Sequence, residues 1–173
     1  AVMQAQAEAL IAFKDAITHD PSSCLSSWTT TTSITSNTTA PPSYCSSNGT
    51  FGWTGLHCDD RFHITSIDLS HCNLSGPISL SLSLLPSLSR LDLSDNNFLD
   101  PLLFFTQPNY LEGPIPSSLI PASIGTCASL WFLHLSYTSL EGIVPVDALH
   151  NLTALQKLHL IRNNLTGKIE NLD

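Results

Sequence analysis

Two carboxylates and two imidazoles recur at one place in a repeated phrase of this chain: Asp68 in Ile-Asp-Leu, Asp92 in Leu-Asp-Leu, His134 and His159 in Leu-His-Leu. In an extended segment alternate side chains face opposite ways, so the flanking apolar pair turns inward and these four turn outward onto one face. Carboxylates beside imidazoles can share protons, pair, or hold a charged ligand. Neighbouring slots add Ser66, Arg90, Phe132 and Lys157 on one side, and Ser70, Ser94, Ser136, Tyr137, Ile161 and Arg162 on the other. With rungs about 4.8 Å apart, the face grades from acidic and serine-rich to aromatic, histidine and basic. That polarity suits a peptide or protein ligand with its own charge gradient; the plainer alternative is a solvated strand face with no ligand.

Catalysis is not expected. Ser, His and Asp are plentiful, but no nucleophile elbow, phosphate loop or metal-binding helix motif accompanies them. His134 and His159 belong on adjacent rungs, where protonating both would bring like charges together and make contacts there pH-sensitive below about pH 6.5. Two imidazoles without a third ligand do not make a metal site, so neither metal nor cofactor is expected.

The elements that position these residues follow from a recurring Leu-x-Gly-x-Ile phrase: LSGPI at 74 to 78, LEGPIP at 111 to 116, LEGIVP at 140 to 145 and LTGKI at 165 to 169. Counting back from each glycine gives a fixed register. Ile64, Ile67, Leu69, Cys72, Leu74, Gly76 and Ile78 fill L-x-x-L-x-L-x-x-N/C-x-L-x-G-x-I, and Leu88, Leu91, Leu93, Asn96 and Phe98 start a copy 24 positions later. Leu130, Leu133, Leu135, Thr138, Leu140, Gly142 and Val144 form another copy, followed after 25 positions by Leu155, Leu158, Leu160, Asn163, Leu165, Gly167 and Ile169. Such a period describes a stacked solenoid with one short parallel strand per turn on its concave face. An amide in the ninth slot can satisfy backbone groups of neighbouring turns as a buried ladder, and glycine in the thirteenth admits a backbone that a side chain would penalise.

The pattern resembles the plant-specific subclass of leucine-rich repeat proteins, whose units read L-x-G-x-I-P after the asparagine slot. EALIAFKDAITHDPSSCLSSW at 8 to 28 and WTGLHCD at 53 to 59 are similar to that family's N-terminal cap. The resemblance implies an α/β solenoid of about four to five repeats with a helical N-terminal cap, and it implies a disulfide between Cys45 and Cys58. Five cysteines cannot all pair in one chain. Cys72 and Cys127 read as small buried repeat residues, which leaves Cys24 as the odd thiol: inert, bridged to another molecule, or exchanging with Cys45.

Read without the family, Leu10, Phe13, Ala16 and Ile17 lie on one side of a helix that Asp20-Pro21 ends. Such a helix would cover the first exposed turn of the solenoid core. The expected division is a cap over 1–62, with a Ser/Thr-rich loop at 29–52, and repeats over 63–173. The rhythm fails once, around 99–124. The unit counted back from Gly113 would begin at Pro101, only 13 positions after Leu88, and puts Thr106 where a leucine belongs. A distorted turn bulging from the convex side is expected there, with Phe105 in the concave slot.

The net charge of −8 and pI near 5.1 argue against nucleic acid, and no stretch approaches the length of a membrane span. The chain starts at Ala1 without an initiator Met or signal peptide, which suggests a processed secreted chain. Sequons at Asn37, Asn48, Asn73, Asn151 and Asn164 predict N-linked glycans and an extracellular location at the cell wall or cell surface. The last unit stops at 168–173 with no C-terminal cap. An uncapped turn would expose an apolar edge, so either more protein follows or the chain self-associates there, a head-to-tail contact that fails to close giving filaments.

Three functions follow. The resemblance implies an extracellular recognition module, binding a peptide or protein ligand or a co-receptor through the concave face, as in plant receptor-like proteins. A second is a defence protein similar to polygalacturonase inhibitors, although their cysteine-bearing C-terminal cap is absent here. A third is a structural or self-assembling cell-wall glycoprotein.

Overall fold

The computed structural model describes residues 2–29, 42, 44, 45, 52–98, 124, 125 and 127–167. The expectations for Asn37, Asn48, most of the Ser/Thr-rich loop, Phe105, the 111–116 phrase and the residues beyond Gly167 lie outside that set.

Each repeat contributes one rung to a curved sheet. β1 (Leu56–Cys58) pairs antiparallel with β2 (Ile64–Asp68), after which β4 (Arg90–Asp92), β6 (Phe132–His134) and β8 (Lys157–His159) continue it in parallel, in the order β1-β2-β4-β6-β8. The inward pairs Ile67/Leu69, Leu91/Leu93 and Leu133/Leu135 are buried. Behind the rungs, β3 (Ser75–Gly76) pairs with β5 (Asn97–Phe98), and β7 (Glu141–Ile143) with β9 (Asn164–Thr166), so the segments after the ninth slot also stack. A 3₁₀ turn at Leu80–Leu84 and the short α2 (Val146–His150) return the chain to the next rung.

β4 pairs directly with β6, Arg90 opposite Phe132 and Asp92 opposite His134. The sheet therefore leaves no rung between them, and among the described residues the concave face has four rungs, three of them successive parallel partners of the first. The physical reason lies in the sequence. The copy that starts at Leu88 has only 13 positions before Pro101, and the unit counted from there puts Thr106 where an inward leucine belongs, whereas Leu130, Leu133 and Leu135 bring a full set of apolar residues to the growing core.

The ninth-slot amides tie successive turns. Asn96 is buried; its Nδ2 donates to the carbonyls of Leu69 at 2.8 Å and Leu93 at 2.9 Å, while its Oδ1 accepts from the Leu74 amide at 2.8 Å. Asn163 repeats this two turns on, donating to Leu135 at 2.6 Å and Leu160 at 3.1 Å and accepting from Leu140 at 3.0 Å. These carbonyls and amides would otherwise be buried without partners, a cost larger than the bond itself. Where the first repeat has Cys72 instead of an amide, a different bond appears. Cys72 is joined to Cys24, Cα to Cα 5.9 Å. This corrects the reading of Cys24 as the odd thiol: the unpaired cysteine is Cys127, buried under the convex side, where removal from water pushes its thiol up to about 11. Cys45 is bonded to Cys58.

The cap helix α1 spans Val2–Ala16, beginning before the expected stretch and leaving Ile17 just outside. Leu10 and Phe13 are buried as the apolar spacing requires, with Phe13 against Trp28 and Trp28 stacked on Trp53. Gln6 is buried as well. Its Oε1 accepts from the Ile64 amide at 2.8 Å and its Nε2 donates to the Phe62 carbonyl at 3.2 Å, so one side chain closes the backbone where the first repeat strand begins. At the other end of α1, Gly76 has φ +128°, and a Cβ there would stand 2.8 Å from the Ala16 carbonyl oxygen and 2.9 Å from the Thr18 amide. Glycine thus serves both the turn and the docking of the cap.

Replacing Asn96 with Ala removes four bonds and orphans at least one buried amide and one carbonyl. The expected loss in unfolding free energy is about 3 kcal/mol, measured by urea denaturation; a loss comparable to that of an exposed-site variant such as Ser129→Ala would contradict the tying role.

Candidate functional site

The register of the sheet builds the concave face column by column. Asp68, Asp92, His134 and His159 stand opposite one another on successive strands, and Ser66, Arg90, Phe132 and Lys157 form the column beside them. The structure thereby brings together what the sequence separates by more than ninety positions.

The centre of the face is a cluster across β4, β6 and β8. The Arg90 guanidinium lies over the Phe132 ring, 3.9 Å from its centroid, and one nitrogen reaches Asp92 Oδ2 at 3.2 Å and Asp68 Oδ2 at 3.9 Å. A flat, weakly hydrated cation suits a ring face and a carboxylate together. His134 Nδ1 is 3.3 Å from Asp92 Oδ2, and the His134 and His159 rings lie 4.8 Å apart, centroid to centroid. Phe132 is buried and touches both imidazoles, at 6.0 Å from His134 and 5.8 Å from His159.

Asp92 is the anchor of this cluster. Only 6% exposed, it accepts at Oδ1 from the Ser94 hydroxyl at 2.6 Å and the Ser94 amide at 3.2 Å. Burial pushes its carboxyl up, but the Ser94 hydroxyl and amide and the neighbouring His134 outweigh that and hold it below the ordinary carboxylate range. Asp68 repeats the turn in more open surroundings, with Ser70 Oγ donating at 2.7 Å.

Several expected contact residues sit differently. Ser94 and Ser136 are buried, Ser94 holding Asp92 and Ser136 Oγ accepting from the Ile161 amide at 3.1 Å, so they position the face instead of presenting it. Tyr137 and Arg162 are exposed, but on the turns that follow the strands, where His71, Asp95, Tyr137 and Arg162 all have φ between 54° and 59°. That shared left-handed residue is what turns the chain out of each rung. Trp131, not singled out from the sequence, flanks the cluster, its ring 5.6 Å from Phe132 and beneath the Lys157 ammonium at 5.8 Å. Its position immediately before the rung, in line with the concave columns, was the available signal.

Among the described residues Asn73, Asn151 and Asn164 are exposed, and no group of three or more His, Cys, Asp or Glu is arranged to hold a metal ion. No described helix is long and apolar enough to cross a membrane.

A repeat-built sheet with an exposed, chemically varied concave face and a disulfide-bonded cap defines a leucine-rich repeat scaffold. The leucine rich repeat N-terminal domain matches residues 3–59, and the Leucine Rich Repeat matches residues 63–85 and 87–107. The chain belongs to the leucine-rich repeat proteins that carry this N-terminal domain, and its relatives include plant receptor kinases and receptor-like proteins. It is 33% identical over 164 residues to the brassinosteroid LRR receptor kinase BRL3 of Oryza sativa subsp. japonica, covering 94% of this chain and 11% of that protein. Among solved structures it is similar to the ectodomain of the Arabidopsis receptor kinase HAESA in complex with an IDA peptide hormone ligand, at TM-score 0.64 and 29% identity, covering 94% of this chain and 22% of that one. It is also similar to PEPR1 in the structure of PEPR1-AtPEP1, at TM-score 0.68 and 26% identity, covering 94% of this chain and 18% of that one. The chain thus spans only a small part of the length of these relatives.

Because the Asp92 carboxyl lies below its ordinary range in the folded chain, its contribution to stability is complete above the ordinary carboxylate range and disappears as pH falls through its folded value. Asp92→Asn should therefore lower stability at pH 7 and flatten the loss of stability between pH 5 and pH 3. Urea denaturation across that interval checks it, and an acid limb as steep as in the unaltered protein would contradict the assignment.

Proposed function

We propose that this chain is an extracellular recognition module that binds a peptide or protein ligand along the concave face. The observation that carries the reading is the fixed cluster of Arg90, Asp92, Phe132, His134 and His159, held across three rungs by stacking, ion pairing and strand register. Rigid aromatic and cationic groups lower the entropy lost on binding and are the side chains that dominate binding energy. The HAESA ectodomain, similar over nearly the whole chain, is solved with a peptide hormone ligand, which supports a peptide here. The ligand backbone would run across the rungs, reading Trp131 and Lys157 on one flank and Arg162 on the other. Glycans at Asn73, Asn151 and Asn164, outside the rung columns, would leave this face open. A co-receptor and the extracellular placement belong to the same reading.

Selection of phage-displayed random peptides on the immobilised chain tests it. Enriched sequences should bind in calorimetry, and Trp131→Ala or Lys157→Ala should weaken them by about tenfold or more, while Leu84→Ser on the convex side leaves affinity unchanged. Failure to enrich any sequence, or binding indifferent to both concave substitutions, would overturn the proposal.

A further inference from the structure

We infer that the His134–His159 pair is a proton-linked binding site for a carboxylate group of the ligand. The inference rests on the proposed concave-face function and names the chemistry that this part of the face accepts.

Asp92 sets the orientation of the pair. A carboxylate only accepts hydrogen bonds, so His134 Nδ1, 3.3 Å from Asp92 Oδ2, carries the proton and donates it. The proton of a neutral His134 is thereby committed, and its Nε2 has only a lone pair to offer. Taking up a second proton turns Nε2 into a donor. Asp68 and Asp92 with the Arg90 they share carry one net negative charge, which offsets one imidazolium and leaves a second, with Lys157 nearby, uncompensated.

The groups facing His134 decide what a protonated pair would attract. From β4 come Arg90 and Asp92, with Asp68 one rung further on but held against Arg90 at 3.9 Å. From β8 come His159, 4.8 Å from His134 between ring centroids, and Lys157 on the same strand. Arg90 is shared between the two carboxylates and the Phe132 ring. Among the described residues no carboxylate lies within 4.0 Å of His159, Lys157 or Arg162. Two imidazolium ions at this separation repel, and protonation of both is favoured only when an anion joins them. A metal cation would meet the opposite field and a third ligand is missing. The anion that fits is a single carboxylate, set against His134 Nε2 and the His159 ring with Lys157 alongside, from an acidic side chain or a free C-terminus. Linkage requires that such a ligand bind more tightly as pH falls through the imidazole range and that its binding raise the titration midpoints of the pair.

The test uses triglutamate peptide as the probe and histidine-labelled protein observed by NMR. At constant ionic strength, triglutamate should move the titration midpoints of His134 and His159 to higher pH while those of His19, His57, His63, His71 and His150 stay in place. Its affinity should rise about tenfold between pH 7.5 and pH 5.5, as uptake of one net proton predicts. The single variant H159Q should reduce that rise, and H134Q/H159Q should abolish it. Unmoved midpoints, equal affinity at the two pH values, or a double variant with the rise intact would overturn the inference. Should that happen while library peptides still bind through Trp131 and Lys157, the recognition function stands without the carboxylate site; should no peptide be selected while the histidine shifts occur, the recognition function fails alone.

Discussion

Parallel pairing of the Arg90–Asp92 rung with the Phe132–His134 rung is the interaction on which the rest of this structure depends. A solenoid turn can bury its apolar residues only against a neighbour, and here the neighbour in space lies 42 positions away in sequence, from Arg90 to Phe132. Were that pairing absent, Leu91 and Leu93 would lose the cover of Leu133 and Leu135, and the cluster on the outward face would not exist. The same bonds therefore hold the core together and assemble the site. Arg90 over Phe132 and Asp92 beside His134 are consequences of strand register, with no loop needed to bring them close.

Polar groups enforce the register that apolar residues leave loose. Leucines on successive turns could slip by a residue pair with modest loss, but an amide such as Asn96 bonds backbone groups of two turns at once and tolerates no slip. Gln6 performs this service where the cap meets the first repeat strand, and in the first repeat, whose ninth slot holds Cys72, the Cys24–Cys72 disulfide stands in for the amide. By the chain-entropy argument, a closed loop of 48 residues restricts the unfolded chain by about 4 kcal/mol. Gly76 allows the end of the cap helix to approach that same repeat. The first repeat is thus secured by covalent and polar links, and later repeats stack upon it.

Much of this was legible in the sequence because the alternation of a strand and the spacing of leucines are local rules. They assign the outward column Asp68, Asp92, His134, His159 and the inward leucines without reference to tertiary contacts. What escaped local rules depended on distance in space. Cys72 reads as a small buried repeat residue and Cys24 as the odd thiol, and only their 5.9 Å Cα separation makes them a pair. Ser94 and Ser136 read as surface serines, yet both are buried, Ser94 bonding back to Asp92 and Ser136 accepting from the Ile161 amide of the next turn. The cation over Phe132 needs the pairing of rungs that the irregular unit at Pro101 obscures. Counting slots places a rung at Pro101, whereas the Arg90–Asp92 strand pairs directly with the Phe132–His134 strand.

The most direct test of the account is the identity of the strand next to Arg90–Asp92. Isotope-edited NMR of the protein in solution reads it from inter-strand contacts between backbone protons. The account predicts contacts from Leu91 and Asp92 to Leu133 and His134, and from Leu133 to Leu158. Contacts from Leu91 and Asp92 to residues between 101 and 113 in their place would insert another rung, separate Arg90 from Phe132 and Asp92 from His134, and contradict it.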